Sequence, residues 1–369
     1  MARPIDWIEF HGLVQRHRIP GLAGAALCAA DFAIPADVRS KLADEAQRYA
    51  ARDLLHAAET ARLQQIFDRA GVPAMFLKGS ALGMLAYGRL GLKYSWDIDL
   101  LTTEPSALQA LQLLEQHGYR LSGSGGLPRH ALRRFTRFTH EIELRNDRGM
   151  TVELHWRLFS KPILSGVTGA SETQTVDIGG ATVRTLREDL LVAFLIAHGQ
   201  EHGWSRLKWI ADLNALLAQK TEDELAELHA RAATFDLEAK TSAALLLCAQ
   251  LFDLPLPEPL QAKLRRNRTV KRLVEADLAC IAHPLSGQDL PVLSRASIAL
   301  ITSRFGRGTG WRMALAELGA LWTQPTKRAR YPAALDFLYH LLRVPIWLLR
   351  VPLRLAENRR VKVRVEREC

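Results

Sequence analysis

The chain has 369 residues, 48% hydrophobic and 24% charged, which excludes disorder as its main state because enough apolar surface is present to offset the ordering entropy. At this length two domains are expected, or one domain with helical extensions. The formal charge of +10 is uneven: residues 261–369 hold 21 Lys and Arg against 8 Asp and Glu, leaving 28 against 31 over residues 1–260.

Along the chain, residues 1–70 read as helical. Val38 to Ala46 and the alanine-rich run Tyr49 to Ala70 lack Gly and Pro, and their apolar positions recur at three and four. Gly71-Val-Pro73 ends that helix. Ala74 to Lys78 is a short apolar strand candidate, and Gly79-Ser80 opens a helix to about Tyr87. Asp97-Ile-Asp-Leu100 alternates polar and apolar as a half-buried strand does. Leu108 to His117 is expected to be helical. Phe135 to Leu144 and Met150 to Leu158 are expected as strands joined at Asn146-Asp-Arg-Gly149, a good hairpin turn. A second hairpin, Thr175 to Ile178 and Ala181 to Arg184, turns on Gly179-Gly180. Thr185-Leu-Arg-Glu188 has the form of a capping box before a helix from Leu190 to His198. Ser205 to Ala218 and Glu224 to Phe252 continue as helix.

The chemistry concentrates in Lys78-Gly79-Ser80, Asp97-Ile-Asp99 and Glu153. Carboxylates at i and i+2 on a strand point to one face and repel each other unless a cation lies between them. Mg²⁺ takes carboxylate and phosphate oxygens, and a third carboxylate on a neighbouring strand would complete a two-metal site for displacement at phosphorus. Gly79 allows close backbone approach, and a helix starting at Ser80 offers N–H groups to phosphate. Lys78 can reach phosphate as a point charge or simply end a strand. His155, two residues after Glu153, would share its face; it can line the site or serve as a structural histidine.

Phe76-Leu-Lys-Gly-Ser-Ala-Leu82, Gly91-Leu-Lys-Tyr-Ser-Trp-Asp-Ile-Asp-Leu-Leu101, Val152-Glu-Leu-His-Trp156 and the run from His198 to Leu213 resemble the bacterial uncharacterised nucleotidyltransferase family, of the DNA polymerase β-like superfamily. The resemblance spans roughly residues 1–325. It implies an α+β fold, with a small mixed-sheet nucleotidyltransferase core embedded in a mostly helical chain, binding an NTP and two Mg²⁺. It further implies that Asp97 and Asp99 bridge both metals, that Glu153 holds the catalytic metal, and that Gly79 and Ser80 cradle the β- and γ-phosphates. Lys93 stands where relatives often have Arg, keeping the charge without the bidentate fork. Trp96 stands where a small residue is usual, with Ser95 one step earlier. The expected divisions are a helical region (1–70), the nucleotidyltransferase core (71–187), a helical domain (188–330) and a basic tail (331–369). The expected reaction moves a nucleoside monophosphate from NTP to a small molecule, peptide, protein or RNA end, releasing pyrophosphate.

Rival patterns remain. His198-Gly-Gln-Glu201-His202 fits the inverted zinc-protease signature, although Gly199 and Gly203 weaken a helix there and a third ligand is not singled out. The same run instead offers Arg206, Lys208 and Asp212 to a nucleotide cleft or to ion pairing. Gly123-Ser-Gly-Gly126 reads as a loop, and Arg133 and Arg137 after it share one face of the expected strand. Lys263 to Arg272 holds six cations and no acid, suited to phosphate or to solvent. Leu341-Leu-Arg-Val-Pro345 recurs as Leu348-Leu-Arg-Val-Pro352 ahead of a basic end, suiting an interfacial segment or packing on the body. A non-catalytic scaffold with that tail on nucleic acid or membrane is the reading from a different class. The four cysteines, Cys28, Cys248, Cys280 and Cys369, form no CxxC pair, so reduced thiols are expected. With Asp6 and Glu9 where a signal peptide needs an apolar run, the expected location is cytoplasmic, with the tail able to reach a membrane surface.

Overall fold

The computed structural model describes residues 5–29, 34–122, 129–160, 163–164, 172–283, 338 and 341. The glycine-rich loop at Gly123, the side chains of Arg129 and Arg134, and nearly all of the basic tail lie outside the described residues. Helices α1 (Trp7–His17), α2 (Pro20–Ala29) and α3 (Ala36–Arg69) bear out the helical N-terminal reading, with the two expected segments of α3 fused into 34 residues. Strand β1 (Met75–Phe76) leads directly into α4 (Gly79–Tyr87), then β2 (Ile98–Leu101), α5 (Ala107–Gln116), β3 (Tyr119–Leu121), α6 (Arg129–Phe138), β4 (Glu141–Asn146) and β5 (Thr151–His155).

These strands form one mixed sheet in the order β1-β2-β5-β4-β3. Only β2 and β5 run parallel; the other neighbours are antiparallel. Alternation along the strands sorts the sheet into two unlike faces. Ile98, Leu100, Ile142, Leu144, Val152 and Leu154 pack against α3, α5 and α6. Asp99, Glu141, Glu153 and His155 sit at the alternate positions, on the other face. The hairpin β4–β5 turns as expected: Asn146 Oδ1 accepts from the N–H of Arg148 (3.1 Å) and Met150 (2.9 Å), and Gly149 adopts φ +78°. The second hairpin, β6 (Thr173–Ile178) and β7 (Ala181–Leu186), pairs as a separate two-stranded sheet.

Two expectations around the sheet are corrected. The strand expected from Phe135 begins only at Glu141, because 129–138 form α6, with Leu132 and Phe135 buried on the sheet. Arg133 and Arg137 are therefore exposed helix residues, four apart on one face, rather than an edge strand. Thr185 does not cap the next helix either; it remains in β7, and α7 (Glu188–Glu201) starts after an uncapped Arg187. The capping box lies further on, where the Thr221 hydroxyl accepts from Glu224 N and the Glu224 carboxylate accepts from Thr221 N.

Helices α7, α8 (Leu207–Leu217), α9 (Glu222–Arg231), α10 (Glu238–Phe252), α11 (Glu258–Arg266) and α12 (Arg268–Ala282) bury a second core, into which α4 inserts Leu82 and Ala86. The expected helix from Glu224 to Phe252 is interrupted at Asp236, whose φ of +55° ends a short 3-10 turn. Gly199 does not break α7. A Cβ there would lie 2.2 Å from the ring of Trp204, which is fully buried, so only glycine fits. No described helix is long and apolar enough to cross a membrane.

A buried carboxylate ties the segment between α4 and β2 to α3. Asp53 accepts from the Ser80 hydroxyl at 3.0 Å through Oδ1 and from Gly91 N at 2.8 Å through Oδ2. Asp53→Ala removes the acceptor of the partly buried Gly91 N–H and leaves the buried Ser80 hydroxyl only the long contact to the residue 53 carbonyl, so thermal or urea unfolding is expected to show a loss of about 1–3 kcal/mol. His17 docks α1 on α8 by accepting from Leu207 N at 3.1 Å. Burial, helped by Arg16 and Arg206, pushes its pKa down to about 4 from 6.5. The neutral form belongs to the folded state, so this contribution is complete above pH 6.5 and is lost as pH falls through about 4. His17→Asn, which keeps an acceptor without a basic nitrogen, is expected to flatten the fall in unfolding midpoint between pH 7 and pH 4.

Candidate active site

The unlike sheet face opens onto a cavity of about 440 Å³ walled on the other side by α7 and the start of α8. Asp97, Glu141, Glu153, His155 and Lys78 line the sheet side, and Phe194, His198, His202, Arg206 and Trp209 line the helical side. Asp99 lies beneath, 3% exposed, in register with Glu153 across the parallel β2–β5 pair. The register follows from Ile98 and Leu100 meeting Val152 and Leu154 on the opposite, apolar face. Once those side chains face the core, Asp99 and Glu153 have only the cavity side to occupy.

Charge compensation is local. Lys78 Nζ is 2.9 Å from Asp99 Oδ1. His155 Nε2 is 3.6 Å from the same oxygen and 3.7 Å from Glu153 Oε2, while its Nδ1 is 3.3 Å from Glu141 Oε2. Burial alone would raise the Asp99 carboxyl, but Lys78 and His155 outweigh it and hold the group far below the usual range. Burial likewise opposes charge on His155, and Asp99, Glu153 and Glu141 overcome it, raising the imidazole to about 9. Glu141 is held at about 2 by His140 and His155 despite its burial. Glu153 moves the other way: burial and the charges of Asp99, Asp97 and Glu141 raise it, against the pull of His155.

The sequence-derived residues divide into those the fold gathers and those it does not. Asp97, Asp99, Glu153, Lys78 and Arg206 meet at the cavity. Lys93 does not: it is 6% exposed and pairs with Asp212 at 3.1 Å, and Asp212 also accepts from the Tyr87 hydroxyl at 2.8 Å. Asp212 thus joins α8 to α4 through Tyr87 and to the segment after α4 through Lys93. Lys208 sits behind the cavity with its ammonium 5.3 Å from the Tyr94 ring, pushed down to about 7 by burial and then by Lys93. Gly79 needs its φ of +63° to turn β1 into α4. The Ser80 hydroxyl donates to Asp53 Oδ1 at 3.0 Å, so a phosphate contact there falls to its backbone N–H. A better candidate is Ser95, whose buried Oγ lacks a hydrogen-bond partner and is the nearest atom, at 4.0 Å, to a Cβ built on Gly79. Trp96 is turned outward, with the Arg52 guanidinium 3.7 Å over its ring.

Over residues 3–253 the chain matches the model of the family described as uncharacterised nucleotidyltransferase. The chain belongs to that family. Among solved structures, the chain is similar to an antigenic nucleotidyltransferase-like protein from Paracoccidioides brasiliensis at 17% identity and a TM-score of 0.35, covering 58% of this chain and 94% of that one. No curated protein matches.

Cavity residues that the sequence did not single out are His140, Glu141, Arg18, Phe159 and Phe194. Glu141 pairs with His155 in register across the β4–β5 hairpin. The zinc-protease pattern is not assembled. His198 stacks on Phe194 and His202 on Trp209, with centroids 5.8 and 4.9 Å apart. Among the described residues the groups able to bring three metal-ligating atoms together are Asp99, Glu153 and His155, and His140, Glu141 and His155. Lys78→Met would leave Asp99 buried beside too little positive charge. A loss of about 3–5 kcal/mol is expected in chemical denaturation without divalent ions.

Proposed function

We propose that this protein is a Mg²⁺-dependent nucleotidyltransferase of the DNA polymerase β-like type, moving a nucleoside monophosphate from NTP to an acceptor nucleophile and releasing pyrophosphate. Family membership supports nucleotidyl transfer as the general activity. The observation that carries the finer reading is the placement of Asp99 beside Glu153 on parallel neighbours, with Asp97 leading into β2 at the same cavity. The donor set fits a hard divalent cation. It is rich in carboxylate oxygens, and Asp99 Oδ1 and both His155 nitrogens are buried without an aligned hydrogen bond. Asp97, Asp99 and Glu153 would hold the two ions, which when bound neutralise charge developing on the transferring phosphoryl group.

The remaining work falls to side chains of the chain itself. The first N–H groups of α4, with the Ser95 hydroxyl, offer donors to the terminal phosphates. Arg18 and Arg206 at the cavity wall add positive charge for the triphosphate. The rings of His198, His202 and Trp209, with His202 stacked on Trp209 and His198 edge-on to both, wall the helical side and offer aromatic surface to a base. Glu153, held on β5 beside Asp99 at the cavity, is placed to orient the acceptor and take its proton. Small molecules, peptides, proteins and RNA ends all remain acceptor classes for this proposal.

Incubation with each labelled NTP and Mg²⁺ against RNA, peptide and lysate-protein pools tests the reading. Asp97→Asn, at a partly exposed position, is expected to keep the unfolding midpoint and lower transfer by at least about 10³-fold, in line with loss of a main electrostatic stabiliser. Unchanged turnover in that variant would overturn the two-metal assignment.

A further inference from the structure

Beside the carboxylate pair, the same cavity contains a second group of ligand atoms with different chemistry. His140 Nε2 and His155 Nδ1 each lie 3.3 Å from Glu141 Oε2. The three atoms lie within 4.8 Å of one another, and all three residues line the cavity. For an ion bound at about 2.0–2.1 Å, tetrahedral ligand atoms are separated by roughly 3.3–3.4 Å. The two separations from Glu141 match that edge.

We propose that His140, Glu141 and His155 form a Zn²⁺ site with an open fourth position, distinct from the carboxylate site of Asp97, Asp99 and Glu153. Two imidazoles and one carboxylate make a set that favours zinc over magnesium, since Mg²⁺ prefers oxygen. An independent observation points to a ligand there: His155 is 5% exposed, and neither ring nitrogen makes an aligned hydrogen bond. Its other nitrogen completes the pattern. With Nδ1 on zinc, the proton resides on Nε2, which faces Asp99 Oδ1 at 3.6 Å and Glu153 Oε2 at 3.7 Å. A carboxylate behind the distal nitrogen is the usual way a zinc-bound histidine is oriented. Any proton on Nδ1 leaves to solvent as the metal binds. The fourth position faces the cavity, so it takes water or an acceptor oxygen. The assignment stands on these three side chains and does not require the transfer reaction.

The backbone supports testing the site without unfolding it. The His140 carbonyl accepts from Trp156 N whatever side chain it carries, and the imidazole is partly exposed. The full chain, carrying Cys28→Ser to remove the thiol exposed among the described residues and Cys369→Ser to remove the terminal one, is stripped with chelator and titrated with Zn²⁺ in excess Mg²⁺ against a chromophoric competitor. One ion per chain is expected. His140→Ala and Glu141→Gln should each weaken it by at least about tenfold, with thermal melts of the metal-free proteins unchanged within error for His140→Ala. His198→Ala and His202→Ala should bind as the parent does, and X-ray absorption of the zinc form should show two imidazoles. Absence of stoichiometric zinc overturns the proposal, as does loss of zinc in His202→Ala with retention in His140→Ala. Neither result bears on Asp97→Asn, so failure here is separable from failure of nucleotidyl transfer.

Discussion

The organising constraint is the parallel pairing of β2 with β5. It buries Ile98, Leu100, Val152 and Leu154 on one face and, by the two-residue period of a strand, leaves Asp99 and Glu153 side by side on the other. Two adjacent carboxylates in a shielded place are costly unless opposite charge is near. Lys78 and His155 supply it, which explains why the turn from β1 into α4 and the end of β5 converge on Asp99. The arrangement has the character of a site maintained against folding preference, since apolar residues would fill those positions at less cost.

The helical half makes this face a cavity rather than an open sheet. Helices α7 and α8 place Phe194, His198, His202 and Trp209 opposite the carboxylates. Their junction depends on close contacts: Gly199 admits the Trp204 ring, and the Gln200 amide donates to Asp277 of α12 at 2.9 Å. Burial of Asp277 raises its carboxyl well above the ordinary range, with Gln200 countering only in part. On the other side, Asp212 links Lys93 and Tyr87, and the Gln219 amide donates to Leu85 O at 3.0 Å, so the two halves share polar connections as well as a core.

Much of the site was legible because it is local in sequence. Asp97 and Asp99 are two apart, and Gly79-Ser80 follows directly on a short apolar strand, so alternation and turn chemistry locate them. Glu153 was legible through its own strand and the hairpin turn at Asn146. The partners of Lys93 and Ser80 were not legible, because a charge and a hydroxyl carry no sign of Asp212 and Asp53, which lie far off in sequence. Residues 129–138 misled. Arg133 and Arg137 suit one face of a strand or of a helix, and burial of Leu132 and Phe135 against the sheet favoured the helix.

The amino-acid sequence by itself determined the element types around the site, the alternation that puts Asp97, Asp99 and Glu153 on cavity-facing positions, and the concentration of positive charge beyond residue 260. Those are properties of neighbouring residues, and local propensity and periodicity encode them. Tertiary structure decided which strand lies beside β2, which cations Asp99 meets, and which of the histidines stack and which gather around Glu141. Such pairings depend on long-range burial, where a side chain's role follows from the group that packing brings against it.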